Sequence, residues 1–342
     1  MSPETGTASR RLLADVIDGL LGVTVVGSFS KIGFVVRRRI GPWAEPPLLA
    51  GKLFVVTGAS SGIGRAIAVG LARLGARLVV VGRDDERLAA TVRAGAATRG
   101  GGRIVSARVD LVDPEEVVSF AHRVGEHGTQ LDGVVHCAGA LFADRGTAPD
   151  GTELTLALHV MAPFRLSQML HPLLSAAPAP VIVTVSSGGM YTQRFDLERL
   201  ELGNDDYRGA IAYARAKRAQ VVLAHEWARR WGPDGVASYV MHPGWVATPG
   251  LTTGLPSFAR LGPLLRTPAE GADTAVWLTA GGPPGRPTPG EPVPDTRGIW
   301  LDRRRRSEFY LPTTYRRPAN QQRDGAALWD WCTSRAAVPV HP

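Results

Sequence analysis

The 342-residue chain has only two cysteines, Cys137 and Cys332. They can assemble neither a disulfide framework nor a cysteine-based zinc site, which fits a reducing cytoplasm. Its eight histidines form no His-x-x-x-His pair on a helical pattern, and no acidic cluster resembles a Mg²⁺ site, so no metal is expected. No fixed-period repeat is present, which argues against solenoids and propellers. The net charge of +8 comes from scattered arginines without the motifs of nucleic-acid modules, so nucleic acid is not an expected partner. Lysine is scarce as well: the 39 basic residues include only Lys31, Lys52 and Lys217.

The run Lys52-Leu-Phe-Val-Val-Thr-Gly-Ala-Ser-Ser-Gly-Ile-Gly-Arg65 joins an apolar strand to a glycine-rich turn and then to a helical pattern reaching Leu74. Glycines at the end of a strand let the backbone turn tightly and approach a pyrophosphate, whose charge the N–H groups and dipole of the next helix stabilise. Thr57, Gly58, Ser60, Ser61, Gly62, Ile63 and Gly64 are therefore candidate cofactor contacts.

Tyr213 and Lys217 lie four residues apart within the apolar-periodic run Ala210 to Trp231, which puts both side chains on one helix face. A fixed ammonium beside a phenol favours the phenolate and draws its pKa toward the working range. In a chain whose basic residues are nearly all arginine, a lysine here indicates a need for a compact ammonium. Upstream, Pro180-Val-Ile-Val-Thr-Val-Ser-Ser-Gly-Gly189 reads as a buried strand ending at the ligand-facing edge of an open α/β sheet.

These motifs, in this order, resemble the short-chain dehydrogenase/reductase family from about Gly51 to Asp302. Ser186-Ser-Gly-Gly-Met190, Met241-His-Pro-Gly-Trp245, Thr248-Pro-Gly250 and Gly271-Ala-Asp-Thr274 are similar to the branch called dehydrogenase/reductase family member 12. Phe29-Ser-Lys-Ile-Gly-Phe34 resembles the N-terminal extension of that branch. The resemblance implies that Ser187, with Ser186 in reserve, hydrogen-bonds the reacting carbonyl. It implies adenine contacts at Asp110 and Leu111, and further cofactor contacts at Ala138, Gly139, Pro243, Gly244, Val246 and Thr248 besides Tyr213 and Lys217. Two positions depart from the family: His136-Cys137 replaces an asparagine pair, and His159 stands where a catalytic asparagine holds a proton-relaying water. A histidine can also hold such a water, or simply be packed.

At the end of the second strand, Leu78-Val-Val-Val-Gly82-Arg83-Asp84, Gly82 occupies the place of the carboxylate that NAD enzymes set against the ribose. Arg83 suits a 2′-phosphate, which favours NADP(H), while the following Asp84 keeps NAD(H) open.

The expected architecture is α/β: a single doubly wound Rossmann-type domain with a mainly parallel sheet over residues 51–302. An amphipathic and apolar helical extension spans 1–50 and an irregular tail 303–342, with one short helix near Ala326 to Cys332. Gly298 to Leu301 is expected as the last strand. Leu12, Leu13, Val16, Ile17, Leu20 and Val23 follow helical spacing, with Asp15 and Asp18 on another face. The extension is expected to pack on the domain, to lie on a membrane surface or to span the bilayer. Two aspartates ahead of the apolar run argue against a cleaved signal. Arg37 to Arg39 and Arg303 to Arg306 read as solvated runs or as contacts for anionic lipid.

The apolar stretch Leu251 to Leu265 is where the resembled family has a substrate lid, and its composition points to a lipophilic substrate. The expected activity is NADP(H)-dependent interconversion of a carbonyl and an alcohol, the alternative being a catalytically impaired nucleotide-binding regulator. A small-molecule substrate is the expected partner, peripheral membrane contact through residues 1–50 is left open, and a homo-oligomer is compatible.

Overall fold

Short runs of valine, isoleucine and leucine with no polar alternation are strands covered on both faces, which is what a parallel sheet between two helical layers requires. In the computed structural model, which describes residues 3–41, 43–248, 260–291, 294, 295 and 297–336, eight strands form one sheet. They are β1 (Leu53–Thr57), β2 (Arg77–Gly82), β3 (Arg103–Arg108), β4 (Gly133–His136), β5 (Val181–Val185), β6 (Ala237–Met241), β7 (Ile299–Leu301) and β8 (Arg304–Arg306). Their order is β3-β2-β1-β4-β5-β6-β7-β8. β1 to β7 are parallel, and every residue of β1, β4, β5 and β6 is buried.

The helices are α1 (Pro3–Val23), α2 (Val25–Phe29), α3 (Lys31–Ile40), α4 (Gly62–Arg73), α5 (Asp85–Ala96) and α6 (Pro114–Gly125). They continue with α7 (Leu154–Leu156), α8 (Ala162–Ser175), α9 (Gly209–Trp231), α10 (Pro268–Ala280) and α11 (Pro318–Ala336). A π turn, Ala157–Met161, joins α7 to α8. Ile67 and Leu71 of α4, Leu88 of α5 and Leu278 of α10 share one core cluster. Phe120 of α6, Phe164 and Leu170 of α8 and Trp227 of α9 share the other. The chain reverses direction between β1 and β4, the switch point at which open α/β sheets bind ligands.

Three features depart from the sequence reading. β7 is not the last strand, because the chain turns at Asp302 and Arg303 and pairs β8 with it antiparallel. Both turn residues have positive φ, 52° and 56°, a conformation an aspartate tolerates better than most side chains. The tail is not mainly irregular: α11 runs for 19 residues and buries Gly325, Leu328 and Cys332 at helical spacing. Its Trp329 packs edge-on against Phe164 at 5.1 Å and against Trp231 at 5.8 Å.

Third, Arg37 and the run Arg303 to Arg306 are ion-paired to the protein, while Arg38 and Arg39 are exposed. Arg37 is buried and bonds Asp18 at 2.7 Å and Asp302 at 2.9 Å. Arg266 reaches the same Asp302 at 2.6 Å, Arg304 and Arg306 reach Asp18 at 3.1 and 2.5 Å, and Arg303 reaches Asp273 at 2.8 Å. Burial pushes the Asp18 carboxyl up, but hydrogen bonds from Arg306 and Arg37 and the nearby guanidinium charges outweigh it and hold it down to about 2.

This network turns α1 inside out. Asp18 faces the protein, whereas Leu13, Val16, Leu20 and Val23 are 60, 53, 68 and 84% exposed. The apolar segment Gly19 to Val36 breaks at Thr24, whose hydroxyl accepts from the Gly27 amide at 2.9 Å, and again at Ser30. Among the described residues no helix is long and apolar enough to cross a membrane.

Candidate active site

Each glycine of the turn after β1 has a steric reason. Gly58 has φ +69°, and a Cβ there would stand 2.6 Å from the Ala138 Cα. A Cβ on Gly64 would stand 2.2 Å from the Gly58 carbonyl oxygen. Gly62 has φ +53° and lies against Thr248, whose Cγ2 would be 3.2 Å from an added Cβ. The turns after β1, β4 and β6 therefore converge at the switch point. Ser61 precedes α4 without capping it by its side chain, and Ile63 is half-buried in the first turn. The Thr57 hydroxyl accepts from the Cys137 and Ala138 amides at 3.1 and 3.2 Å and donates to the Val135 carbonyl at 3.4 Å, tying β1 to the end of β4.

The two serines after β5 have different surroundings. Ser186 is buried and donates to the Lys217 carbonyl at 2.8 Å, which fixes α9 against the strand. Ser187 is half-buried, accepts from the Gly189 amide at 3.3 Å and lies beside Tyr213, where it acts to lower the phenol pKa. The Lys217 Nζ sits 5.5 Å from the centre of the Tyr213 ring and donates to the Val185 carbonyl and to Gln220 Oε1, both at 3.0 Å.

The expected lowering of the phenol pKa does not follow from this geometry. Burial pushes Tyr213 up to about 12, against the opposing effect of Ser187. Burial also brings Lys217 down to about 8. Tyr213 is thus a phenol that keeps its proton at neutral pH.

His159 sits in the π turn with its ring edge-on to Tyr213 at 5.3 Å. Its Nδ1–H donates to the Thr155 carbonyl at 2.8 Å and its Nε2 accepts from the Ala140 amide at 3.3 Å. Burial, reinforced by the Lys217 charge, brings its pKa down to about 3. Both ring nitrogens are engaged by backbone, so the imidazole does not fit the water-holding role considered for it. Gly139 lies close by, a Cβ there being 3.1 Å from His159 Nε2. His136 is likewise internal: its Nε2 shares a proton with the Ser167 hydroxyl at 2.8 Å, and its ring stacks on Trp227.

At the end of β2, Asp84 caps α5, with one oxygen accepting from the Arg87 amide at 3.0 Å and the other pairing with the Arg87 guanidinium at 3.1 Å. Arg83 is exposed beside it. Gly82 leaves room for Ser60, whose Cβ would be 3.2 Å from an added Cβ. Asp110 accepts from the Val112 amide at 3.3 Å, and its own amide donates to Glu116 at 2.7 Å. Leu111 is buried near Thr57 and Ala138.

Across the site, Gly244 has φ +76°, where a Cβ would be 2.5 Å from Arg266 Nε. Pro243 accepts from Arg266 at 3.3 Å, and Val246 is buried under α10 against Gly271. Of the expected lid, residues 251–259 lie outside the described residues.

The sequence reading did not foresee the part played by Phe29. Its carbonyl accepts from the Trp245 amide at 2.8 Å, and its ring meets His242 at 4.5 Å and Tyr310 at 6.0 Å. A Cβ on Gly188, next to Ser187, would be 3.0 Å from that ring. The N-terminal extension thereby supplies a wall beside the candidate site. The only local signal was a phenylalanine at the head of Phe29-Ser-Lys-Ile-Gly-Phe34.

A doubly wound sheet with a glycine turn at its switch point defines a dinucleotide-binding α/β protein. A family model described as short chain dehydrogenase matches residues 52–254. Dehydrogenase/reductase SDR family member 12 of Bos taurus is 36% identical over 229 residues, 67% of this chain and 71% of that one. Retinol dehydrogenase 14 of Mus musculus is 32% identical over 253 residues, 68% of this chain and 75% of that one. Among solved structures, L-sorbose reductase from Gluconobacter frateurii, complexed with NADPH and L-sorbose, is 27% identical with a TM-score of 0.56, covering 68% of this chain and 91% of that one. The chain belongs to the short chain dehydrogenase family of oxidoreductases, and it is similar to the member 12 branch.

Proposed function

We propose that the protein is an NADP(H)-dependent oxidoreductase that reduces a carbonyl to an alcohol at Ser187, Tyr213 and Lys217. The observation that carries this is the grouping of Tyr213 beside Ser187 with the Lys217 ammonium over its ring. Ser187 orients and polarises the carbonyl oxygen, and the protonated Tyr213 delivers its proton to the developing alkoxide. Burial keeps this phenol protonated at neutral pH, the form that can donate to an alkoxide as the carbonyl is reduced. The nicotinamide, when bound, supplies the hydride. Lys217 offers a fixed positive charge to the phenolate left behind. Arg83 and Ser60 suit a 2′-phosphate, since Asp84 is occupied as a helix cap, and the aromatic wall of Phe29, Tyr191 and Tyr310 favours a lipophilic substrate.

The test is a panel of carbonyl compounds followed by NADPH absorbance, with Tyr213→Phe alongside. Turnover by the wild type and none by the variant, with NADPH affinity retained, supports the reading. Equal rates would overturn it, and NADPH binding with no turnover by either protein would favour the regulator.

We also infer that residues 1–50 rest on a membrane surface. The support is the outward apolar face of α1 together with exposed Val25, Val26 and Ile32 and exposed Arg38 and Arg39, a pairing of apolar area and positive charge that suits anionic lipid.

A further inference from the structure

A π turn widens the backbone ring to i→i+5 and displaces carbonyls from their usual partners. Here the cap amide of Ala162 bonds back to the Ala157 carbonyl, and the His159 carbonyl accepts instead from Gln220 Nε2 at 2.9 Å. The other end of that amide, Oε1, accepts from Lys217 Nζ at 3.0 Å. Gln220 is only 2% exposed. The orientation of the amide follows from chemistry: turned over, its NH₂ would face an ammonium and its oxygen a carbonyl, two repulsive contacts.

We propose that Gln220 is a positioning residue for the Lys217–Tyr213 pair, a direct side-chain bridge that anchors the ammonium to the carbonyl freed by the π turn. The proposal rests on the reading of Tyr213 and Lys217 given above. Two fixed acceptors, Val185 O and Gln220 Oε1, direct two of the three ammonium protons away from the tyrosine. The nitrogen is thereby held in place over the ring. An amide neither gains nor loses a proton near neutrality, so the bridge makes Lys217 a stationary charge and does not carry protons toward the π turn. The other titratable groups facing Lys217 are Tyr213 on its own helix, Cys137 at the end of β4 and His159 in the π turn.

The scarcity of lysine provides the measurement. With ¹³C-labelled lysine the full chain gives three Cε signals, assigned by Lys31→Arg and Lys52→Arg, and Lys217 is followed through a pH titration. Gln220→Met keeps the length and removes the acceptor, so the Lys217 midpoint is expected to fall by about one pH unit. Gln220→Glu places a carboxylate there, and the midpoint is expected to rise by about as much. The alkaline limb of kcat/KM for carbonyl reduction with NADPH should move in the same direction in each variant. A packing role alone would lower the melting temperature without moving either midpoint. If Gln220→Met does not fold, Gln220→Glu and the shorter Gln220→Asn carry the same comparison. Unmoved midpoints in the folded variants overturn the bridge. Wild-type turnover by Tyr213→Phe in the same series would instead overturn the reading of the site.

Discussion

Arg37 and Asp302, 265 positions apart in sequence, meet at 2.9 Å with both side chains buried. Asp302 also holds Arg266, so one carboxylate bridges two buried guanidinium groups, one from the N-terminal extension and one from the sheet domain. Arg266 in turn donates to the carbonyls of Ser28, Phe29 and Ser30. Removing the shared partner should cost more than removing either arginine. Asp302→Ala is expected to lower unfolding free energy by about 3–5 kcal/mol, the range for breaking a buried pair from one side. Arg37→Ala should cost less, because Asp302 keeps Arg266 and Asp18 keeps Arg304 and Arg306. Denaturant midpoints in the reverse order would contradict this account.

Arg83→Ala should weaken NADPH much more than NADH, since only NADPH carries the 2′-phosphate. Loss of one charge-assisted hydrogen bond of about 1.5–3 kcal/mol corresponds to a roughly tenfold to hundredfold change in preference. Titration of both cofactors into both proteins measures it, and equal losses would remove Arg83 from the phosphate site.

Three buried histidines give the fold an acid limit. Burial brings His136, His159 and His242 each from 6.5 down to about 3. As pH falls through 6.5, the unfolded chain therefore takes up protons that the native one refuses. Stability is full above 6.5 and declines toward 3, by about 2 kcal/mol per histidine at pH 5. Asp18 adds a further loss between 3.8 and about 2, where its stabilised carboxylate becomes protonated. Urea unfolding at pH 7 and pH 5 checks the sign and size, and a midpoint that does not change over that interval would contradict it.

The outward face of α1 should bind lipid without contributing to the fold. Leu20→Ser with Val23→Ser is expected to leave the melting temperature within a degree or two, both side chains being largely exposed, and to reduce co-sedimentation with anionic vesicles. Wild-type protein should be partly released by high salt. Absence of vesicle binding by the wild type would remove the membrane proposal.

The fold was legible wherever the signal is local. Valine-rich runs, the Gly58-x-x-x-Gly62-x-Gly64 turn and the four-residue step from Tyr213 to Lys217 each carry their meaning within a few residues. β8 did not, because its three arginines look solvated until Asp18, 286 and 288 positions away from Arg304 and Arg306, is placed beside them. α11 was obscured because its buried stripe includes a glycine and a cysteine, Gly325 and Cys332, where aliphatic residues would announce a helix. At the site, spacing selected Tyr213 and Lys217 and could not separate Ser186 from Ser187, which differ only in what they face. Gln220 was invisible, since its amide has a task only once the π turn, 61 positions earlier at His159, exposes a carbonyl.

The tie between Arg37 and Asp302 also sets an order of events during synthesis. At about 5–20 residues per second, the 265 positions between them take roughly 13–53 s to emerge from the ribosome. Throughout that interval the extension exists without the carboxylate that seats it, while its apolar face is already complete. The proposed lipid contact through Leu20 and Val23 is therefore open to the nascent chain well before the sheet closes at β7 and β8.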